Sequence, residues 1–244
     1  MGETMKGDKA IVTGASSGIG RRTALALARE GVDIALAARR EGRLEELADR
    51  IGSETDAEAL VVPTNVREEA AVEELIGTTV ETFGRLDLLV NNAGLVVGGK
   101  IEDLSTAEYR SMMETNVDGM FFATRAALPH LRASGGTLVF IGSFAGQYPR
   151  SFNPTYAGTK WWTRGFAKSV AAQADGEIAV TTINPSEVRT EIAAQTGESF
   201  EDRFEEGEVV EPEEVADAVV FAARQDNTMV SELDLYRRDK FEDF

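Results

Sequence analysis

The segment Thr13-Gly14-Ala15-Ser16-Ser17-Gly18-Ile19-Gly20 decides the fold of this 244-residue chain. An apolar run, residues 10–12, precedes it, and apolar residues at helical spacing follow it, so the segment joins a strand to a helix. Glycines at such a junction permit a tight turn and bring backbone N–H groups to the helix end that binds a pyrophosphate. The spacing is G-x-x-x-G-x-G, not the G-x-G-x-x-G of other dinucleotide folds. We predict a dinucleotide site formed by Gly14, Ser16, Ser17, Gly18, Ile19 and Gly20.

Strand and helix patterns alternate from this segment to the end of the chain. Further strand-like apolar runs lie at 33–37, 59–62, 86–90, 137–141, 178–183 and 232–236. Helical periodicity separates them, including one long helix that carries Met112, Met113, Val117 and Phe121. This alternation is typical of a parallel sheet covered on both faces. We predict one α/β domain over residues 1–244, with a Rossmann-type doubly wound parallel sheet of about seven strands and helices on both faces.

Composition narrows the class of partner. The net charge of −17 disfavours nucleic acid and anionic membrane surfaces. The absence of cysteine excludes disulfides and thiolate chemistry, and no residue cluster has metal-ligand spacing. The N-terminus leads into a strand without the apolar run of a signal peptide, and no window reaches the length of a membrane span. We expect a cytoplasmic protein that acts on a small molecule and has no metal site.

The surface charge has two interpretations. Acidic residues number 42 against 25 basic ones, and most of the basic residues are arginine. An acid-rich, lysine-poor surface suits a high-salt cytoplasm, in which self-repulsion is screened. An ordinary acidic enzyme carries the same kind of surface, and both interpretations stay open at this point.

Three residues indicate proton-transfer chemistry. Tyr156 and Lys160 lie one helical turn apart, and Ser143 lies upstream of them. A phenol with a pKa near ~10 is a poor base at pH 7, but a lysine at i+4 favours the phenolate and lowers that pKa. Tyr156 then serves as a general acid and base, while the Ser143 hydroxyl holds the reacting oxygen. Tyr and Lys at this spacing also occur by chance on many helices, so the pair alone does not establish catalysis.

Together with other motifs, these residues resemble the short-chain dehydrogenase/reductase family over nearly the whole chain. The matching pieces are the 13–20 segment, Asn91-Asn92-Ala93-Gly94 after the fourth strand, Asn116 in the long helix, Ser143, and Tyr156-Ala157-Gly158-Thr159-Lys160. The resemblance implies reversible hydride transfer between a nicotinamide cofactor and an alcohol or carbonyl, with Tyr156 as proton donor and acceptor. It makes the candidate catalytic residues Asn116, Ser143, Tyr156 and Lys160.

The resemblance also implies further cofactor contacts. Lys160, beside Tyr156, would bind the nicotinamide ribose, and Asn116 would help to hold a water in a proton relay. Asn65 and Val66 match the position at which relatives contact adenine. After the sixth strand, relatives carry Pro-Gly and then a threonine that meets the carboxamide, whereas residues 185–190 read Pro-Ser-Glu-Val-Arg-Thr, with serine in place of glycine. The other candidate cofactor contacts are Asn92, Ala93, Gly94, Pro185, Val188 and Thr190.

The end of the second strand bears on the choice of nicotinamide cofactor. An acidic residue there would bind the adenosine ribose hydroxyls and repel a 2′-phosphate. Residues 37–40 read Ala-Ala-Arg-Arg, without a carboxylate, and an arginine forks onto a phosphate. We predict NADP rather than NAD, with Arg39 as the main contact and Arg40 beside it. The alternative is that these arginines pair with Glu41, Glu45 and Glu46.

Residues 186–210 break the alternation of strands and helices. This segment is rich in glutamate and glycine, and it follows the carboxyl end of a strand, where open α/β sheets bind ligands. We predict a substrate lid at 186–210; a solvated acidic insertion is the alternative. The other expected pocket walls are Phe144, Gln147, Tyr148, Arg150 and Phe152. For Arg150 we favour an ordinary surface arginine over a partner for a substrate carboxylate.

Several functions fit these features. The leading one is an NADP-dependent alcohol dehydrogenase or carbonyl reductase. Residues 211–216 and 230–238 are similar to a branch that acts on 3-hydroxy acids such as serine, which is a narrower alternative. A non-catalytic dinucleotide-sensing protein is another alternative, against which the retention of both Tyr156 and Lys160 argues. An epimerase or dehydratase would need a larger C-terminal substrate domain. The resemblance also implies a homo-oligomer, a tetramer or dimer, formed through two long helices.

Overall fold

A seven-stranded parallel sheet forms the centre of the computed structural model, which describes residues 5–192 and 198–242. Within these ranges the strands are β1 (Lys9–Thr13), β2 (Asp33–Ala38), β3 (Ala59–Pro63), β4 (Leu88–Asn91), β5 (Thr137–Ile141), β6 (Ala179–Pro185) and β7 (Glu232–Leu235). Their order is β3-β2-β1-β4-β5-β6-β7, and every neighbouring pair is parallel. The predicted Rossmann-type fold is confirmed.

Helices cover both faces of the sheet. They are α1 (Gly18–Arg29), α2 (Glu41–Glu54), α3 (Glu69–Phe83), α4 (Thr106–Met113), α5 (Gly119–Ser134), α6 (Pro154–Ala174), α7 (Phe200–Arg203) and α8 (Pro212–Ala223). Alternate residues of β1 serve the two faces: Ala10 and Val12 pack with α1, α2 and α8, whereas Ile11 packs with α3, α5 and α6. A strand buried on both faces must be apolar at successive positions, which is why the run at 10–12 does not alternate with polar residues.

The long helix predicted through Met112 and Phe121 is not one continuous α-helix. A single π-helical stretch, Glu114–Asp118, separates α4 from α5. The wider turn buries Asn116 and Val117 against the rest of the domain. Such π turns are frequent at functional sites, because they change the direction in which a side chain points without ending the helix.

The two ends of the segment after β6 pair with each other. Val188 forms a parallel bridge with Val210, and α7 lies between them. Of the predicted lid at 186–210, residues 193–197 lie outside the described part of the chain. Within the described part, none of the helices is both long enough and apolar enough to cross a lipid bilayer.

Candidate active site

The strand order reverses between β1 and β4, which are neighbours in the sheet. The side chains of Thr13 and Asn92 connect the carboxyl ends of these two strands. The Thr13 hydroxyl accepts hydrogen bonds from the N–H groups of Asn92 and Ala93, both at 3.0 Å. The Asn92 amide donates in return to the Thr13 carbonyl at 2.8 Å. In open α/β sheets this switch point is where ligands bind, and a cavity of about 460 Å³ opens here.

Two positions of the glycine segment, Gly14 and Gly20, do not accommodate a side chain without strain or a clash. Gly14 has a φ of +70°, which a residue with a Cβ adopts only with strain. A Cβ on Gly20 would lie 2.4 Å from the Gly14 carbonyl oxygen and 2.5 Å from the Asn92 amide nitrogen. The start of α1 is therefore held directly against the turn, and Gly18 and Ile19 of its first turn line the cavity. A helix N-terminus in this position suits a pyrophosphate.

Most of the predicted site residues line this one cavity. They are Gly14, Ser16, Ser17, Gly18, Ile19, Arg39, Arg40, Asn65, Val66, Asn92, Ala93, Gly94, Ser143, Tyr156, Lys160, Pro185, Val188 and Thr190. Gly20 and Asn116 lie behind the wall, where both are buried. The cavity runs from the arginines after β2 to the tyrosine of α6, so one elongated ligand can reach both ends.

Ser143 and Tyr156 both lie at the inner end of the cavity. Ser143 follows β5 in extended backbone and accepts a hydrogen bond from the Ala145 N–H at 3.1 Å, which fixes its hydroxyl. Burial raises the pKa of Tyr156 above its ordinary value of 10.0, while the Ser143 hydrogen bond and the positive charge of Arg150 act in the opposite direction. The phenol is therefore protonated at neutral pH in this structure.

The sequence predicts that Lys160 lowers the pKa of Tyr156, but in this structure the pKa of Tyr156 is raised by burial. The Lys160 Nζ lies 5.8 Å from the centre of the Tyr156 ring and donates a hydrogen bond of 2.8 Å to the Ile141 carbonyl. The side chain is buried, and that burial lowers the pKa of Lys160 from 10.5 to about 8. At a pH near 8, a lysine with this pKa is only partly protonated. It then carries less positive charge than a fully ionised lysine.

Asn116 faces a backbone loop rather than the cavity. Its Oδ1 accepts from the Leu95 N–H at 2.8 Å, and its Nδ2 donates to the Leu95 carbonyl at 2.8 Å. Nδ2 also lies 3.2 Å from the Thr159 hydroxyl, which donates to the Tyr156 carbonyl at 2.8 Å. The π turn thus connects the loop after β4 to the first turn of α6.

Serine at position 186 is compatible with the local backbone. The Ser186 N–H donates to the Leu235 carbonyl at 2.8 Å, and its hydroxyl accepts from the Arg237 N–H at 3.0 Å. Ser186 has no left-handed φ, so this position does not require glycine. The serine continues the pairing of β6 with β7, and Pro185 and Thr190 remain on the cavity wall.

At the outer end of the cavity, Arg40 forms four hydrogen bonds. It donates to the Ser16 hydroxyl at 3.1 and 3.2 Å, to the Ser17 hydroxyl at 2.7 Å and to the Glu191 carboxylate at 3.0 Å. Among the described residues Arg39 has no ion-pair partner, and neither it nor Arg40 pairs with Glu41, Glu45 or Glu46. The alternative pairing considered from the sequence is therefore not seen in this part of the chain.

The pocket walls differ in part from the prediction. Arg150 and Phe152 line the cavity, as do Ile192 and Phe200 of the predicted lid. Arg150 is not an ordinary surface arginine: its side chain is 16% exposed, and its guanidinium lies 4.5 Å from the Phe144 ring centre and 3.6 Å from Glu187. Phe144, Gln147 and Tyr148 do not line the cavity.

Those three residues belong instead to a cluster beneath the cavity. The Phe144 and Tyr148 rings stack at 4.3 Å, with Tyr236 and Phe241 packed around them. Gln147 bonds to Asp234 and Tyr236 of the C-terminal region. Aromatic residues at 144 and 148 on an expected pocket loop read equally well as wall or as packing, and the sequence does not distinguish the two.

Two acidic residues of the predicted lid segment line the cavity and form ion pairs that the sequence does not indicate. Glu187 lies beside Arg150 and is also ion-paired with Lys240. Burial favours its neutral form, but the Lys240 hydrogen bond and the Arg150 charge together hold the pKa of Glu187 below its ordinary value. Glu191 meets residues about 150 positions earlier in the chain. Pairing over such separations is not visible in local patterns.

Comparison with known proteins assigns the family. The family model for short-chain dehydrogenases matches residues 8–200, so the chain belongs to this family of oxidoreductases. An uncharacterized oxidoreductase of Staphylococcus aureus is 36% identical over 221 residues, which cover 88% of this chain and 90% of that protein. A trans-4-hydroxycyclohexanecarboxylate dehydrogenase of Sinomonas cyclohexanicum is 31% identical over 228 residues, covering 91% and 88%.

Solved structures share the whole architecture. An alcohol dehydrogenase from the archaeon Thermococcus sibiricus, complexed with 5-hydroxy-NADP, superposes with a TM-score of 0.90 at 28% identity and covers 97% of this chain and 99% of its own. A 3-ketoacyl-(acyl-carrier-protein) reductase from Brucella melitensis, complexed with NADH, gives 0.84 at 28% identity and covers 95% and 98%. The close contacts around Gly14 and Gly20 and the elongated cavity fit such a dinucleotide.

Proposed function

We propose that the protein is an NADP-preferring alcohol dehydrogenase or carbonyl reductase. The observation that carries the proposal is the position of Ser143, Tyr156 and Lys160 at one end of a cavity whose other end carries Arg39 and Arg40. The first group suits proton transfer to a carbonyl oxygen, and the second suits the phosphate that distinguishes NADP from NAD.

In the reductive direction, Tyr156 donates its phenolic proton to the substrate oxygen. Its raised pKa keeps that proton available at neutral pH, and the Ser143 hydroxyl holds the oxygen as negative charge develops. The nicotinamide, when bound, supplies or accepts the hydride. Lys160, buried at the same wall, holds the ribose. Asn116 acts through Leu95 and Thr159, as a positioning residue.

The preference for NADP is supported by charge at the outer end of the cavity. Arg39 is exposed at the end of β2 and has no ion-pair partner among the described residues, so its fork is available to a 2′-phosphate. No carboxylate occupies positions 37–40 to bind ribose hydroxyls instead. The Thermococcus enzyme is complexed with 5-hydroxy-NADP, which supports the preference for NADP. The Brucella enzyme is complexed with NADH, so members of the family bind either kind of cofactor.

For the substrate we propose an alcohol or carbonyl, with a carboxylate-bearing hydroxy or keto acid as the narrower candidate. Arg150 lines the cavity near Tyr156, and its distance of 3.6 Å from Glu187 leaves hydrogen-bond donors free for a substrate carboxylate. The Sinomonas relative acts on a hydroxycarboxylate. A 3-hydroxy acid such as serine belongs to the same chemical class.

We further propose that residues 186–210 act as a substrate lid, and that the protein works in the cytoplasm as a homo-oligomer. Ile192 and Phe200 support the lid, because both contribute apolar surface to the cavity. Phe121 on α5 and Trp161 on α6 support the oligomer, since each is exposed, at 38% and 48%, on one of the two long helices.

Turnover with a substrate panel tests the proposal. NADPH oxidation and NADP reduction are followed with aldehydes, ketones, alcohols and hydroxy acids, and Tyr156→Phe is the matched variant. We expect turnover that falls by about 10²–10⁴-fold in Tyr156→Phe, with the dissociation constant for NADPH little changed. Arg39→Ala is expected to raise KM for NADPH and not for NADH. Tight NADPH binding without turnover of any substrate would instead indicate a sensor.

A further inference from the structure

A carboxylate of the chain itself occupies the arginine cluster at the outer end of the cavity. Both oxygens of Glu191 lie 2.7 Å from Nη1 of Arg43, and one of them accepts from Arg40 at 3.0 Å. Arg40 and Arg43 are one turn apart at the start of α2, so one anion can meet both guanidinium groups. Glu191 belongs to the segment that follows β6, and it lines the same cavity as Arg40.

The groups around this carboxylate are those that a phosphate ester would use. Arg39 lies next to Arg40, and the Ser16 and Ser17 hydroxyls already bond to the Arg40 guanidinium. Two or three arginines with hydroxyl groups at the end of the second strand form a site for an anion attached to the adenosine ribose. The Glu191 carboxylate has the charge sign of that anion and contacts two of its expected ligands.

We propose that Glu191 competes with the adenosine 2′-phosphate for Arg40 and Arg43, and so moderates the preference for NADP over NAD. This inference rests on the proposed function, in which NADP is the preferred cofactor. A 2′-phosphate must displace the carboxylate to engage both arginines, whereas NAD leaves the Glu191 ion pairs intact. Glu191 is then a specificity-determining residue that acts through the arginines.

The strength of the ion pairs suits a displaceable competitor. The side chains of Arg40, Arg43 and Glu191 are 46%, 43% and 37% exposed. Ion pairs at that exposure change an equilibrium constant by at most about fivefold. A phosphate ester carries about −1.5 to −2 charges and three acceptor oxygens, so it outcompetes one carboxylate. The expected effect of removing Glu191 is therefore a change of a few fold in affinity, not the creation of a new preference.

Two small probes isolate the 2′-phosphate. Adenosine 2′,5′-bisphosphate and adenosine 5′-monophosphate differ only in that group, and calorimetry gives the dissociation constant of each for the full-length protein. For Glu191→Gln we expect adenosine 2′,5′-bisphosphate and NADPH to bind about two- to fivefold more tightly than to the wild type. The affinities for adenosine 5′-monophosphate and NADH should change by less than a factor of two.

Glu46→Gln is the matched control. Glu46 lines the neighbouring surface cavity together with Arg43 and Glu191, and among the described residues it forms no ion pair with Arg40 or Arg43. Glu46→Gln removes the same charge as Glu191→Gln. An equal gain in bisphosphate affinity in both variants would therefore indicate a general effect of charge and would overturn the proposed competition. Weaker or unchanged binding of the bisphosphate to Glu191→Gln would overturn it as well. A wild type that binds NADPH no better than NADH would instead contradict the proposed cofactor preference.

Discussion

At the residue scale, the proton chemistry depends on burial more than on the Tyr156–Lys160 spacing. Burial shifts both groups toward their neutral forms: the pKa of Tyr156 is raised and that of Lys160 is lowered to about 8. The sequence shows that the two residues share a helix face, but it does not show that the Lys160 amino group reaches the Ile141 carbonyl. That contact depends on how α6 packs against β5, which is a tertiary property.

The lowered pKa of Lys160 predicts a pH-dependent difference in stability. Between about pH 8 and the ordinary pKa of 10.5, the unfolded state binds a proton that the folded state has lost, so the free energy of unfolding rises with pH. Below pH 8 the full cost of burying the ammonium is present. Lys160→Met keeps the length without the charge, so the wild type should gain on the order of 2–3 kcal/mol relative to this variant across that window.

Urea denaturation at a series of pH values measures this difference. Tyr156 is present in both proteins, so its own titration cancels. Lys168→Met, on the same helix, is the control, because the Lys168 side chain is 52% exposed and paired with Glu232. Parallel stability curves for the wild type and Lys160→Met from pH 7 to 10.5 would contradict the lowered pKa of the buried lysine.

At the scale of the element, sequence patterns predict the strands well, but they do not indicate the π turn. β1, β2 and β5 are buried runs bounded by polar or glycine residues, and such runs predict strands directly. The stretch Glu114–Asp118 contains no glycine or proline, and its neighbours continue the apolar periodicity, so nothing local indicates a π-helix. The sequence therefore identifies Asn116 as a motif residue but does not indicate its contact with Leu95.

The junction of β1 and α1 gives a prediction about backbone approach. Gly20→Ala places a Cβ 2.4 Å from the Gly14 carbonyl oxygen, so the turn or the helix must move. We expect a loss of about 1–3 kcal/mol in stability and a decrease of at least about tenfold in NADPH affinity, because the N–H groups that face the pyrophosphate move with the helix. Thermal unfolding and fluorescence titration with NADPH measure the two effects.

Gly77→Ala provides the comparison. Gly77 lies inside α3, and a Cβ added there meets no atom within 4 Å. Replacing a helical glycine by alanine in open space should stabilise the protein by about 0.5–1 kcal/mol, with unchanged affinity for NADPH. If Gly20→Ala bound NADPH as tightly as Gly77→Ala, the close contact between α1 and the turn would have no role in cofactor binding.

At the scale of the whole molecule, opposite charges are unequally matched. With 42 acidic and 25 basic residues, acidic residues exceed basic ones by 17. Several basic residues join distant elements, as Arg224 does with Glu30 and Arg164 with Glu232. Such exposed or half-exposed pairs contribute about 0–1 kcal/mol each, while the net charge of −17 adds self-repulsion to the folded state.

Salt dependence of stability follows from that imbalance and decides between the two interpretations of the acidic surface. The Debye length falls from about 10 Å at 0.1 M to about 3 Å at 1 M salt, so added KCl screens repulsion between distant carboxylates more than it weakens ion pairs in direct contact. We expect the unfolding temperature to rise with KCl, as measured by circular dichroism. Tetramethylammonium chloride at equal ionic strength is the control for ion-specific effects.

If screening alone operates, the rise in unfolding temperature levels off near 1 M, as in an ordinary acidic enzyme. A rise that continues to several molar KCl would mark adaptation to a high-salt cytoplasm, and a fold indifferent to molar salt would exclude it.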